Sequence, residues 1–134
     1  LSPSPEQVEY AEMLLRRANG DISVCRALGA DTEVDDGPIG FHAQQAVEKA
    51  LKIALVLADV ELPRTHDLEF LARLVRESGA DLPADVSNPE WLTPWAADFR
   101  YGDPVALDRP AACSAAESAI AWAASLLAGQ SGKG

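Results

Sequence analysis

The chain has 134 residues, 48% of them hydrophobic and 24% charged, a size and composition suited to one globular domain that buries roughly 68% of its unfolded surface without metal or disulfide staples. Eleven basic residues against 21 acidic ones give a net charge of −10, which excludes broad non-specific nucleic-acid binding and leaves such a role only to a local basic patch. The longest uninterrupted apolar runs, 53–58 and 119–124, fall short of the roughly 20 residues of a membrane span, so neither a membrane protein nor a disordered chain is expected.

Glycines and prolines divide the chain into helical blocks, and no stretch alternates with period two, so an all-α fold is predicted, with five helices in up-and-down order. Residues 1–128 read as a single domain and 129–134 as a flexible tail. In the first block Pro5 supplies a helix start, and Val8, Ala11, Leu15, Ala18, Ile22 and Cys25 recur every three or four residues on one face. Gly20-Asp21 weakens this helix by about 1 kcal/mol relative to alanine without shifting its phase. Residues 31–40 collect Asp35, Asp36, Gly37, Pro38 and Gly40 and read as a loop.

The second helix, predicted over 41–59, is apolar nearly all round, with Val47, Ala50, Leu51, Ala54, Leu55 and Ala58 on one stripe and Ile53, Val56, Leu57 and Val60 beside it. Such a helix belongs at the centre of a bundle. Its polar stripe is Gln45, Glu48, Lys49 and Lys52, with Glu48 placed to pair with Lys52 one turn on. Pro63 stops it, Thr65 is positioned to cap a third helix with Asp67 and Glu69 in its first turn, and Leu68, Leu71, Leu74 and Val75 give that helix its apolar face before Gly79 ends it. Asn88-Pro89 and Thr93-Pro94 predict a turn followed by a fourth helix over 94–101. The last helix, over 110–128, turns Ala112, Ala116, Ala119, Ala123, Leu126 and Leu127 to one side.

Two distant cysteines, Cys25 and Cys113, lie on predicted core faces, which points to buried reduced thiols and a cytoplasmic protein. The first residue is leucine rather than methionine, which leaves open whether residues upstream of Leu1 were removed. With only His42 and His66, at no ligand spacing, no metal or cofactor is expected. Several groups could still do chemistry. The stripe Gln45, Glu48, Lys49 and Lys52 either lines a groove for phosphate or partner carboxylates or is an ordinary solvated face. His66-Asp67 is either an acid–base couple or part of a helix cap. Arg100-Tyr101 offers a cation and a flat aromatic to a base or phosphate, or else pairs locally with Asp98 or Asp103. Trp91, Trp95 and Phe99 form an aromatic stripe that suits core or interface better than base stacking.

The string Phe41-His42-Ala43-Gln44-Gln45-Ala46-Val47-Glu48-Lys49-Ala50-Leu51-Lys52, followed by Thr65-His66-Asp67-Leu68, resembles the HEPN family (higher eukaryotes and prokaryotes nucleotide-binding). Arg100-Tyr101 is similar to that family's R-Y-P element, with Gly102 in place of the proline. The resemblance implies a HEPN-like helical bundle, often dimeric through its central helices, in a family that includes ribonucleases, nucleotide-binding domains and toxins encoded beside a minimal nucleotidyltransferase. The ribonuclease members use an arginine followed four to six residues later by histidine. Here the nearest arginine before His42 is Arg26 and the nearest before His66 is Arg64, so the motif is absent and the domain is expected to be non-catalytic.

The favoured expectation is therefore a homodimeric, nucleotide- or partner-binding component of a toxin–antitoxin-like module whose partner is a minimal nucleotidyltransferase. Its binding residues would be Gln45, Glu48, Lys49, Lys52, His66, Asp67, Arg100 and Tyr101. The alternatives are a metal-independent ribonuclease toxin using His66 with Arg64 or Arg100, and a stand-alone structural dimer without a ligand.

Overall fold

The computed structural model describes residues 2–96 and 106–131, and these contain helices and turns but no strand. Four α-helices, α1 (Pro5–Leu28), α2 (Asp36–Leu57), α3 (Leu68–Glu77) and α4 (Arg109–Ser131), are joined by two 3-10 helices, Ala84–Val86 and Pro89–Ala96. The all-helical expectation holds, with one helix different in kind. The region read as a turn and then an α-helix over 94–101 is a single 3-10 helix as far as Ala96, and 97–101 lie outside the described residues.

α1 begins with a capping box, in which the Ser4 hydroxyl accepts from Gln7 N–H and the Gln7 side chain accepts from Ser4 N–H. It runs unbroken through Gly20. Its buried face is Ala11, Leu14, Ala18, Ile22 and Cys25; Leu14 takes the place predicted for Leu15, and Val8 is only partly covered.

α2 starts well before the predicted position, because 36–40 are helical rather than loop. Asp35 flanks its start, and Pro38 falls in the first turn, where the backbone N–H it lacks would have had no partner within the helix. Gly40 is also helical: a Cβ there would lie 2.5 Å from the Trp95 ring, so glycine lets the indole pack directly on the α2 backbone. Trp95 is buried whereas Trp91 is exposed, so in the 3-10 helix the predicted aromatic stripe does not form one face. Phe99 lies outside the described residues.

α2 is the central element, packed against α1, α3, α4 and the Pro89–Ala96 turn. Val47, Leu51, Ile53 and Leu55 are fully buried, each worth about 1.5–3 kcal/mol relative to exposure. α4 presents Ala112, Ala116, Ala119, Ala123 and Leu127 to the bundle and continues through Gly129, Gln130 and Ser131 into the segment read as a tail. Within Arg109–Gln130 the most apolar stretch reaches a mean hydropathy of 1.3, which matches a membrane-crossing helix by length and composition, so run length alone does not exclude a span. Its alanine face serves the bundle core, and its outer side carries Glu117 in a bidentate pair with Arg26 of α1.

The start of α4 is tied to the α1–α2 connection by Arg109. Its guanidinium donates to Asp36 Oδ1 at 2.7 Å and to the carbonyls of Gly29, Asp31 and Val34. The Leu107 backbone N–H on the other oxygen of Asp36, and then Arg109, hold that carboxyl below the ordinary aspartate pKa. α3 is capped by Asp67, whose Oδ1 accepts from Glu69 N–H and Phe70 N–H, rather than by Thr65. The Thr65 hydroxyl instead accepts from Asp67 N–H, and Thr93 reaches across to accept from Leu68 N–H.

Candidate functional site

The polar stripe of α2 is the centre of a continuous hydrogen-bonded network. Lys49 Nζ donates to Asp21 Oδ2 of α1 at 2.6 Å and to Gln45 Oε1 at 3.2 Å. Gln45 Nε2 donates to Gln44 Oε1 at 2.7 Å, and Gln44 Nε2 donates to Glu48 Oε1 at 3.0 Å. Lys52 Nζ closes on Glu48 Oε2 at 3.0 Å, as its spacing predicts. Two imidazoles complete the network: His42 Nδ1 lies 2.8 Å from Asp21 Oδ1, and His66 Nδ1 lies 2.7 Å from Glu48 Oε1.

Each carboxylate therefore serves one lysine and one histidine. Two anions face two ammonium groups, so with neutral imidazoles the network carries no net charge. Among the described residues no buried side-chain nitrogen or oxygen lacks a partner, the condition under which a buried polar network is tolerated. Glu48 is the anchor, with its side chain only 5% exposed. Burial acts to raise its pKa, but hydrogen bonds from Gln44, His66 and Lys52, with the Lys52 charge, outweigh burial and hold it below the ordinary glutamate value. An ionised carboxylate can only accept, so Nδ1 of each imidazole carries a proton and Nε2 is the nitrogen left for other partners. His66 is 65% exposed at its side chain, and among the described residues its Nε2 has no hydrogen-bond partner.

The structure gathers Gln45, Glu48, Lys49, Lys52 and His66 in one place. Asp67 is at the same corner but caps α3 through its own carboxylate, the second of the two readings of His66-Asp67, and the carboxylate paired with His66 is Glu48. Arg100 and Tyr101 lie outside the described residues. Arg64 is exposed, and among the described residues no arginine bonds to either imidazole or to either network carboxylate. Sequence reasoning missed Asp21, Gln44 and His42 as members. Asp21 had a signal: it falls three residues after Ala18 and four before Cys25, on the buried face of α1, where a carboxylate requires a cation from a neighbouring element.

Away from this network, Cys25 is buried against α4. Burial first, and then the neighbouring Cys113 thiol, push its pKa up to about 12, so it is held as an inert thiol as its core position predicts. Among the described residues no group of three or more histidine, cysteine, aspartate or glutamate side chains could hold a metal ion.

The family model described as HEPN domain matches residues 11–128. The chain belongs to the HEPN family. The match takes in all of α2 and α3, most of α1 and α4, and every residue of the network. No curated protein and no solved structure matches this HEPN domain. Within its frame, every member of the network except Asp21 of α1 lies in the α2 string or the Thr65-His66-Asp67-Leu68 segment on which the resemblance rests.

Proposed function

We propose that this HEPN domain is a non-catalytic, partner-binding component of a two-component module, and that its partner is a protein of the minimal nucleotidyltransferase class. The observation that carries this reading is the closed network. Lys49 and Lys52, the cations a nucleotide phosphate would use, are each already paired with a carboxylate and are less than one-fifth exposed at their side chains. A polyphosphate arriving there competes with Asp21 and Glu48 and adds anionic charge to a chain at −10. A protein surface instead meets a neutral, pre-ordered polar patch edged by His42 and His66, and binding it costs little further ordering. The absent arginine–histidine spacing favours the non-catalytic role. The homodimer implied by the resemblance belongs to the same reading.

The test is co-expression with the nucleotidyltransferase encoded beside this gene, followed by chromatography with light scattering. A stable complex, weakened by combined His42→Ala and His66→Ala, supports the reading. A neighbour that elutes separately, or a neighbourhood without such a gene, defeats it. One observation favours a second reading, a metal-independent ribonuclease: the exposed His66 ring is oriented through Nδ1 by a buried carboxylate, the arrangement of a general base. RNA cleavage abolished by His66→Gln would establish that activity instead.

A further inference from the structure

The seam between α1 and α2 does not end at the network. Beyond Lys52 it opens into a shallow groove of about 460 Å³ between the start of α1 and the end of α2, lined by Glu6, Gln7 and Tyr10 on one side and by Val56 and residues 59–62 on the other. Val56, Val60 and Leu62 supply apolar surface, and Tyr10 is 44% exposed beside them. Every charged residue lining the groove is acidic: Glu6, Asp59 and Glu61.

The wall of this groove is fixed. Asp59 adopts a positive φ of 58° just after α2, a conformation disfavoured for residues other than glycine. Its Oδ1 accepts from Gln7 Nε2 at 2.7 Å, and Gln7 is itself held by the α1 capping box. A pre-ordered apolar floor with an exposed tyrosine and a carboxylate rim is built to receive an apolar anchor flanked by cations.

We infer that the groove docks a cationic amphipathic helix of a protein partner, with an apolar side chain seated against Tyr10, Val60 and Leu62 and lysine or arginine facing Glu6, Asp59 and Glu61. A second copy of this chain fits poorly, because a two-fold contact would set the same carboxylates against each other. Anionic lipid and nucleic acid are repelled for the same reason. The inference rests on the partner-binding reading and gives that partner's chemistry; its test needs no nucleotidyltransferase, so failure of the complex above and failure here are separate results.

The probe is a fluorescein-labelled helical peptide with leucine at every third or fourth position and lysine flanking, compared with the same peptide carrying glutamate for lysine. Fluorescence anisotropy with the full chain is expected to show binding of the lysine peptide only, weakening as salt rises. Tyr10→Ala, and separately the pair Glu6→Gln and Glu61→Gln, are expected to weaken it about tenfold or more. The pair Glu33→Gln and Glu90→Gln, equal in charge but outside the groove, is expected to leave it within about twofold. Equal losses from both glutamate pairs would reveal diffuse attraction to an acidic chain and overturn the inference. So would the absence of binding, or a dimer that Tyr10→Ala dissociates, which would make a second copy the occupant.

Discussion

Replacing Glu48 by glutamine tests whether the network depends on charge as well as shape. Glutamine keeps the volume and one acceptor oxygen, which can still serve Gln44 Nε2 and His66 Nδ1, but sets an NH2 group against Lys52 Nζ where the carboxylate now accepts at 3.0 Å. Breaking a fully buried ion pair by removing one partner costs about 3–5 kcal/mol. Here the Lys52 side chain is 19% exposed and His66 faces solvent, so water recovers part of the loss and about 2–3 kcal/mol is expected at pH 7. Because the folded pKa of Glu48 is depressed, its ionised form contributes fully above the unfolded value of about 4.3, and that contribution is lost as pH falls through the folded value. Urea unfolding of both proteins at pH 7, 5 and 3.5 reads this directly as midpoints at constant slope. The gap between them should be widest at pH 7 and close towards pH 3.5. A glutamine variant within about 0.5 kcal/mol of the parent at pH 7, or a gap independent of pH, would refute the reasoning.

Three further outcomes follow from the packing. Gly40→Ala should destabilise by about 1–3 kcal/mol in the same urea experiment, since its methyl would lie 2.5 Å from the Trp95 ring, and an unchanged midpoint would mean that the indole does not rest there. Arg109→Ala leaves Asp36 without its guanidinium and three loop carbonyls short of a donor; a loss of about 2–3 kcal/mol is expected, with faster amide exchange in the α1–α2 connection. Cys25, buried and pushed up to about 12, should resist a thiol reagent at pH 8 in the folded chain and react once urea is added; rapid native labelling located at Cys25 by mass spectrometry would contradict its burial.

Local pattern carried most of the helices, because periodicity reports which face is covered. The α1 stripe passes through Gly20 as expected, α2 is central because it is apolar on most sides, and the Glu48–Lys52 pair follows from one-turn spacing. The early start of α2 was hidden by its own residues. Gly37, Pro38 and Gly40 read as a loop, whereas Pro38 is harmless in a first turn and Gly40 answers to an indole more than fifty residues away. The site was legible only along α2. Lys49 with Asp21, His66 with Glu48 and His42 with Asp21 each join residues from different elements, and helical spacing reports nothing about what a neighbouring element brings. Of the two readings of His66-Asp67, the helix cap holds for Asp67, which caps α3, while the carboxylate beside His66 comes from Glu48 on another element.

The claim that the stripe lysines are closed within the bundle, and so serve a protein partner rather than a nucleotide phosphate, is tested most directly by a thermal-shift titration of the purified chain with ATP, other nucleotides and short RNA, with Lys49→Ala/Lys52→Ala as control. The account predicts a melting temperature that stays flat across the titration for parent and variant alike. A saturable rise in the parent, lost in the double variant, would reveal a ligand bound selectively to the native state through these lysines and would contradict it.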